Sequence, residues 1–268
     1  MLDITPQLLA LQLMTGIALG AVYALLAVGL SLIFGMLNVV NFAHGAFFML
    51  GAFLGVYSLG LTGSFWFSLL LVPLATGAIG LLCERFLVRP LYGRGIDYPL
   101  LLTFGLSYVL IDLMRFTFGI EGLPTSTPVE FKGSVFLGFG YFPLYRLFLI
   151  GATAVIVFGL WLFIEKTRFG LIIRAGSRDA DIVRVLGIDI AKVWLVVFGI
   201  GTAIAGLSGL LAAPTRAVNP EMGIPILAES FVVTVVGGMG SLPGAVLAGL
   251  LVAALFAWRI DFGPTGEA

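Results

Sequence analysis

Charge is what this sequence lacks most. Only 10% of its 268 residues are Asp, Glu, Lys or Arg while 60% are hydrophobic, and a mean hydropathy of +1.14 leaves too little polar surface to clothe a soluble domain. There is one cysteine, Cys83, inside an apolar run. It can pair with nothing in the chain and reads as a buried packing thiol. A single histidine, His44, with scattered acids supplies neither a His-Glu-x-x-His site nor paired intramembrane aspartates, which counts against an intramembrane enzyme. No metal or other cofactor is expected. The Gly-x-x-x-x-Gly-Lys-Ser/Thr loop is missing as well, and with it the backbone amides and lysine that would hold the phosphates of ATP. The opening Met-Leu-Asp-Ile-Thr-Pro has no basic region and no small-residue cleavage site, so the first hydrophobic segment reads as a retained span.

What is present is a succession of apolar segments. A spanning helix needs about 20 apolar residues, and candidates run over Leu8–Leu37, Phe42–Leu61, Phe65–Leu87, Tyr98–Phe118, Phe142–Ile164, Val193–Ala213, Ile224–Val236 and Ala245–Trp258. The sequence therefore predicts an all-α polytopic membrane helical bundle of about eight hydrophobic segments, folded as a single domain over residues 1–268. The seventh segment is too short to cross comfortably. Pro220 and Pro225 before it, with Gly237, Gly238, Gly240, Pro243 and Gly244 after it, predict a broken or half-helix closed by a glycine-rich turn. Gly16 and Gly20, then Gly201, Ala205 and Gly209, then Ala245 and Gly249, form small-residue stripes that let helix backbones approach. No internal repeat and no run of intramembrane charges is evident, which counts against a secondary transporter or channel.

The charged residues are concentrated. Six of the fourteen basic residues lie between Glu165 and Lys192, and Arg85, Arg89 and Arg94 cluster after the third segment. The positive-inside tendency puts both loops in the cytoplasm and the loop carrying Glu121 and Glu130 outside. Within the 165–192 loop, Ser177 is placed to cap a helix of two to three turns, Asp179 and Asp181 fall in its first turn, and Gly187 is placed to end it. Ile182, Val183 and Leu186 would share one side, opposite Asp181 and Arg184. Such a helix can lie on lipid headgroups or insert into a groove on another protein.

The substrate route is less visible. Asn41 and His44 break the apolar run after the first segment, where they either satisfy free backbone groups at a helix end or line a pathway. Asp112 and Arg115, three residues apart, predict a local ion pair. Glu229, with Ser230 and Thr234, stands in the short seventh segment, where an acid is either a functional group or a helix-end group near the headgroups.

Three blocks carry a resemblance. Asp181-Ile182-Val183-x-x-x-Gly187 resembles a degenerate form of the Glu-Ala-Ala-x-x-x-Gly coupling motif of ABC importer permeases, with Ile182 and Val183 replacing the alanines and Asp181 the glutamate. The stretch from Tyr23 to Gly35, with Asn41-Phe42-Ala43-His44-Gly45, is similar to the amino-terminal signature of the H-type branched-chain amino acid permease rather than of its longer M-type partner. Val236-Gly237-Gly238-Met239-Gly240-Ser241-Leu242-Pro243-Gly244-Ala245 resembles that family's glycine-rich turn. The resemblance implies a multi-pass permease subunit in a bacterial or archaeal cell (inner) membrane. It would pair with a second, M-type permease, two cytoplasmic ATPases and an external solute-binding protein, with no nucleic-acid partner. Its solute would be a branched-chain or other amino acid, urea or a short amide.

Overall fold

A computed structural model describes residues 6–262, with the side chains of residue 253 and of 256–262 left out of the description. The amino-terminal tract read above for a signal peptide lies, up to residue 5, outside the described residues. Ten helices follow in order: α1 (Pro6–Leu37), α2 (His44–Thr62), α3 (Phe65–Cys83), α4 (Asp97–Phe118), α5 (Leu144–Lys166), α6 (Arg168–Arg178), α7 (Ala180–Val185), α8 (Ile190–Ala212), α9 (Gly223–Gly237) and α10 (Leu242–Phe262). A hairpin of β1 (Ser134–Phe136) and β2 (Tyr141–Pro143) interrupts the α4–α5 connection. Six helical elements are long and apolar enough to cross a membrane, and Gly223–Gly237 and Leu242–Val252 are shorter apolar stretches.

Helix α1 is the axis of the bundle. From Gly20 to Ile33 every residue is buried, because α5, α8, α9 and α10 pack around it. In lipid there is little hydrophobic drive between helices, so this contact depends on small residues that let backbones close up. Gly249 of α10 is such a residue, since a Cβ there would stand 2.8 Å from Ala24. Gly201 and Gly209 of α8 do the same against Ile33 of α1 and Phe48 of α2. Gly201, Gly209 and Gly249 therefore pack helices of one chain.

Two interruptions bring helix starts into the interior. His44 Nε2 lies 3.1 Å from the carbonyl of Leu26, eleven residues before the end of α1, or about 16 Å back along it at 1.5 Å per residue. The connector from Asn38 to Ala43 therefore runs back into the bundle, and α2 begins there. Helix α9 begins beside it, where Gly223 and Gly45 meet backbone to backbone. With 15 residues α9 is about 22 Å long, short of the roughly 30 Å hydrocarbon core.

The bundle has two dissimilar ends. At one, Leu123 pairs with Val218 in a β-bridge, and Arg115 joins both Asp112, at 2.8 Å, and Glu221. The 119–143 and 213–222 segments thus share that end, where Phe65, Phe131, Tyr145 and Phe148 form an aromatic cluster. At the other end Arg89 donates to the carbonyl of Ala191 at 2.9 Å, so the 84–96 segment and the 165–192 segment lie together.

Candidate functional site

The 165–192 segment folds as two helices. Thr167 caps α6 by accepting from the Gly170 amide at 3.0 Å. Asp179 caps α7 by accepting from the amides of Asp181 and Ile182, each at 3.0 Å. Ser177 is not the cap that its position predicts. It lies in the last turn of α6, where its hydroxyl donates to the Arg174 carbonyl at 3.0 Å. The extended backbone of Asp179, φ −153° and ψ 99°, separates the two helices and leaves α7 only six residues. Gly187 ends it at φ +81°. Its amide bonds to the Arg184 carbonyl at 2.9 Å and that of Ile188 to the Val183 carbonyl at 3.3 Å, a complete Schellman closure.

The three apolar residues of α7 do not share a side. Val183 is buried with Leu32 and Met36 of α1, Ile173 of α6 and Ile190, Val193 and Val197 of α8. Ile182, Val185 and Leu186 are exposed at 60%, 87% and 72%. The reason is the packing of α7 on α6 and α8, which takes one residue from a helix too short for a full stripe. A depression of about 670 Å³ lies beside the exposed residues, lined by Leu171, Ile182 and Leu186 with Arg174 and Arg178. An exposed apolar patch edged by Arg174, Arg178 and Asp179 suits contact with a partner protein or a membrane surface.

A side-chain relay ties this surface to α3. The Arg184 guanidinium stands 5.5 Å over the Trp194 ring, Trp194 meets Tyr92 edge-on at 4.8 Å, and the Tyr92 hydroxyl donates to Glu84 at 3.1 Å. Glu84 is fully buried and paired with Arg89 at 3.1 Å. The π-helical turn Glu84–Val88 makes the pairing possible, because its wider turn brings residues five apart onto one face. Burial, with the Glu84 charge beside it, raises the Tyr92 pKa well above that of a free phenol, so the hydroxyl remains a donor. Sequence reasoning took Arg89 only as topogenic charge and missed Glu84, Tyr92 and Trp194; the acid at the head of a basic cluster was the available signal.

The embedded polar residues fall into separate groups. Asn41 Oδ1 accepts from the Ala43 amide at 3.1 Å at the start of α2. His44 must carry its proton on Nε2 to bond a carbonyl, which leaves Nδ1 as an acceptor; that nitrogen and Asn41 Nδ2 are buried without a partner among the described residues. Ser230 and Thr234 bond back to the carbonyls of Ile226 and Ser230 at 2.7 and 2.8 Å and pack toward α1. Glu229 instead faces Arg216 at 3.9 Å, and Arg216 donates to the Tyr23 hydroxyl at 2.8 Å. Neither Tyr23 nor Arg216 was singled out from the sequence, since each is an ordinary residue until the 216–222 segment folds inward. An apolar cavity of about 450 Å³, lined by Phe42, Phe104, Tyr108, Ile111, Leu227 and Phe231, lies between α2, α4 and α9.

The glycine-rich turn joins α9 to α10 against the end of α1. Gly238 and Gly240 both have φ +87°, Gly240 donates to Ser31 Oγ at 2.9 Å, and Gly237 and Gly244 are in backbone contact. Ser241 Oγ accepts from the Gly244 amide at 3.2 Å and Pro243 stands in the first turn of α10, where its missing N–H costs nothing.

Helices of spanning length and two chain breaks inside the bundle define a polytopic α-helical membrane protein. The chain belongs to the family described as branched-chain amino acid transport system, permease component, which it matches over residues 12–265. It is 31% identical over 263 residues to the high-affinity branched-chain amino acid transport system permease protein BraD of Pseudomonas aeruginosa, covering 93% of this chain and 86% of that protein. To the LivH permease protein of Escherichia coli K12 it is 29% identical over 256 residues, covering 90% and 82%. The LivM permease protein of Salmonella typhimurium is 29% identical over 262 residues, but only 60% of its length is covered. No solved structure matches the chain.

Proposed function

We propose that this protein is the H-type permease subunit of an ATP-driven importer that carries branched-chain amino acids across a bacterial or archaeal cell membrane. A second, M-type permease completes the pathway, two ATPases dock in the cytoplasm, and an external solute-binding protein delivers the amino acid. The 165–192 segment is the cytoplasmic coupling loop. The observation that carries this reading is the patch of Ile182, Val185 and Leu186, exposed beside Val183, which is buried in a core shared with α6, α8 and the end of α1. A partner seated on that patch moves α1 through the shared core, and so biases a two-state membrane element with work done elsewhere. The names of the BraD and LivH relatives support the solute class. The test is purification in mild detergent followed by uptake. An ATPase subunit co-purifying with the permease, and ATP-dependent uptake of leucine, isoleucine and valine resistant to excess urea, are expected. Purification without an ATPase, or uptake driven by an ion gradient alone, refutes the reading.

A further inference from the structure

Tyr23, Arg216 and Glu229 form a charged cluster that no part of the docking surface uses. Its depth is fixed by α1: any run of about 20 residues within Pro6–Leu37 that spans the hydrocarbon includes Tyr23. The Arg216 guanidinium, bonded to the Tyr23 hydroxyl at 2.8 Å, therefore lies at membrane depth, as does the carboxylate beside it. Yet the side chains of Arg216 and Glu229 remain 28% and 31% exposed. A partly exposed charged pair at that depth is strongly disfavoured against acyl chains, so its exposed part faces water or protein. The cluster opens toward the end of the bundle marked by the Leu123–Val218 bridge, since Arg216 begins the segment that carries Val218.

The pair is also loosely made. Its 3.9 Å separation is beyond a hydrogen bond, and Glu229 Oε2 is buried without a hydrogen-bond partner among the described residues. Little is lost when such a pair opens, and each half keeps unused capacity: Arg216 as a fork of donors, Glu229 as an acceptor. A free α-amino acid presents the complementary set, a carboxylate for Arg216 and an ammonium for Glu229. It carries no net charge, so it can replace the internal pair without leaving either protein charge uncompensated. Urea and short amides have no such charges to offer.

We infer that Arg216, Glu229 and the Tyr23 hydroxyl form a transient binding site for the zwitterionic backbone of an amino acid on its way through the permease. The inference rests on the amino-acid reading above and extends it by assigning the contacts. In this site Arg216 holds the carboxylate, Glu229 the ammonium and Tyr23 orients the guanidinium. The aliphatic side chain makes no charged contact here, so the site accepts amino acids as a class.

The test is uptake of radiolabelled leucine by the complete transporter with its binding protein, comparing wild type with Arg216→Gln, Glu229→Gln and the double variant. Each single variant leaves one charge uncompensated, whereas the double variant removes the pair altogether. A binding site predicts that the double variant loses leucine uptake at least tenfold, as the singles do, while subunit co-purification and stimulation of ATP hydrolysis by loaded binding protein persist. A pair that only holds α9 in place predicts recovery in the double variant. Wild-type uptake by the double variant, or its failure to assemble with its partners, overturns the inference and leaves the functional reading intact. A wild-type transporter that imports urea and no amino acid sinks the functional reading first.

Discussion

Replacing Leu186 with aspartate separates the docking role of α7 from its folding role. In the isolated subunit the side chain is 72% exposed and outside the core that holds Val183. A carboxylate there stays hydrated, and the substitution costs the fold little. In the proposed complex the same position enters a groove on the ATPase. The leucine contributes up to about 2 kcal/mol when fully buried, most of it still unrealised in the free subunit. An unpaired carboxylate in its place costs several kcal/mol more. Even a net loss of about 3 kcal/mol weakens ATPase binding about a hundredfold, at roughly 1.4 kcal/mol per tenfold. Membrane insertion and thermal stability of the purified subunit should match wild type, while ATPase co-purification and leucine uptake fall to background. Salt should not rescue them, because the lost contact is apolar. A helix lying on lipid headgroups would behave in the opposite way, tolerating Leu186→Asp but responding to Lys and Arg replacements and to ionic strength. An ATPase still bound, with ATP-dependent uptake intact in Leu186→Asp, would falsify the coupling role of α7.

Other outcomes follow from geometry elsewhere. Single cysteines introduced as Arg94→Cys, Arg178→Cys and Glu130→Cys in a Cys83→Ser background should react with an impermeant thiol reagent on intact cells at 130 alone; labelling at 178 reverses the proposed orientation. Gly240→Val puts a β-branched residue at φ +87° with its Cβ 3.1 Å from Gly35, a strain of at least about 2 kcal/mol that should appear as a lower melting temperature in detergent or as loss of assembly; a variant as stable as wild type rules out the close approach. Glu84→Gln strips the charge from a buried pair whose arginine is partly exposed. It should cost about 2 kcal/mol of stability and reduce uptake per ATP hydrolysed, and an unchanged uptake-to-hydrolysis ratio shows that the Tyr92–Trp194 relay carries no coupling.

The apolar segments were legible because lipid imposes a length and a composition on every crossing helix, and the short α9 was visible from the prolines and glycines around it. Gly187 was legible too, since ending a helix in the left-handed region is a local demand. The partition of Ile182, Val183 and Leu186 was not. Six residues are too few for a periodicity, and only the packing of α7 on α6 and α8 decides which one turns inward. Nor could the sequence show the Asn38–Ala43 segment running back to Leu26, because its two polar residues suit an exposed helix end equally well. Arg216 and Tyr23 are 193 positions apart, and nothing local announces their meeting.

Load arriving at α7 divides between two anchors. Through Val183 it reaches Met36, one residue before α1 ends and the inward-running connector begins; through Arg184, Trp194 and Tyr92 it reaches the buried foot of α3. The first anchor passes into a turn at Asn38, φ +52°, whereas the second is clamped by an ion pair and a carbonyl. In the proposed importer, a stroke delivered at α7 would pivot about the end of α3 and act on the α1–α2 connector. The fulcrum and the moving arm of this lever are set before any ATPase binds, and the arm ends at His44 and Gly45, where the start of α2 touches that of α9.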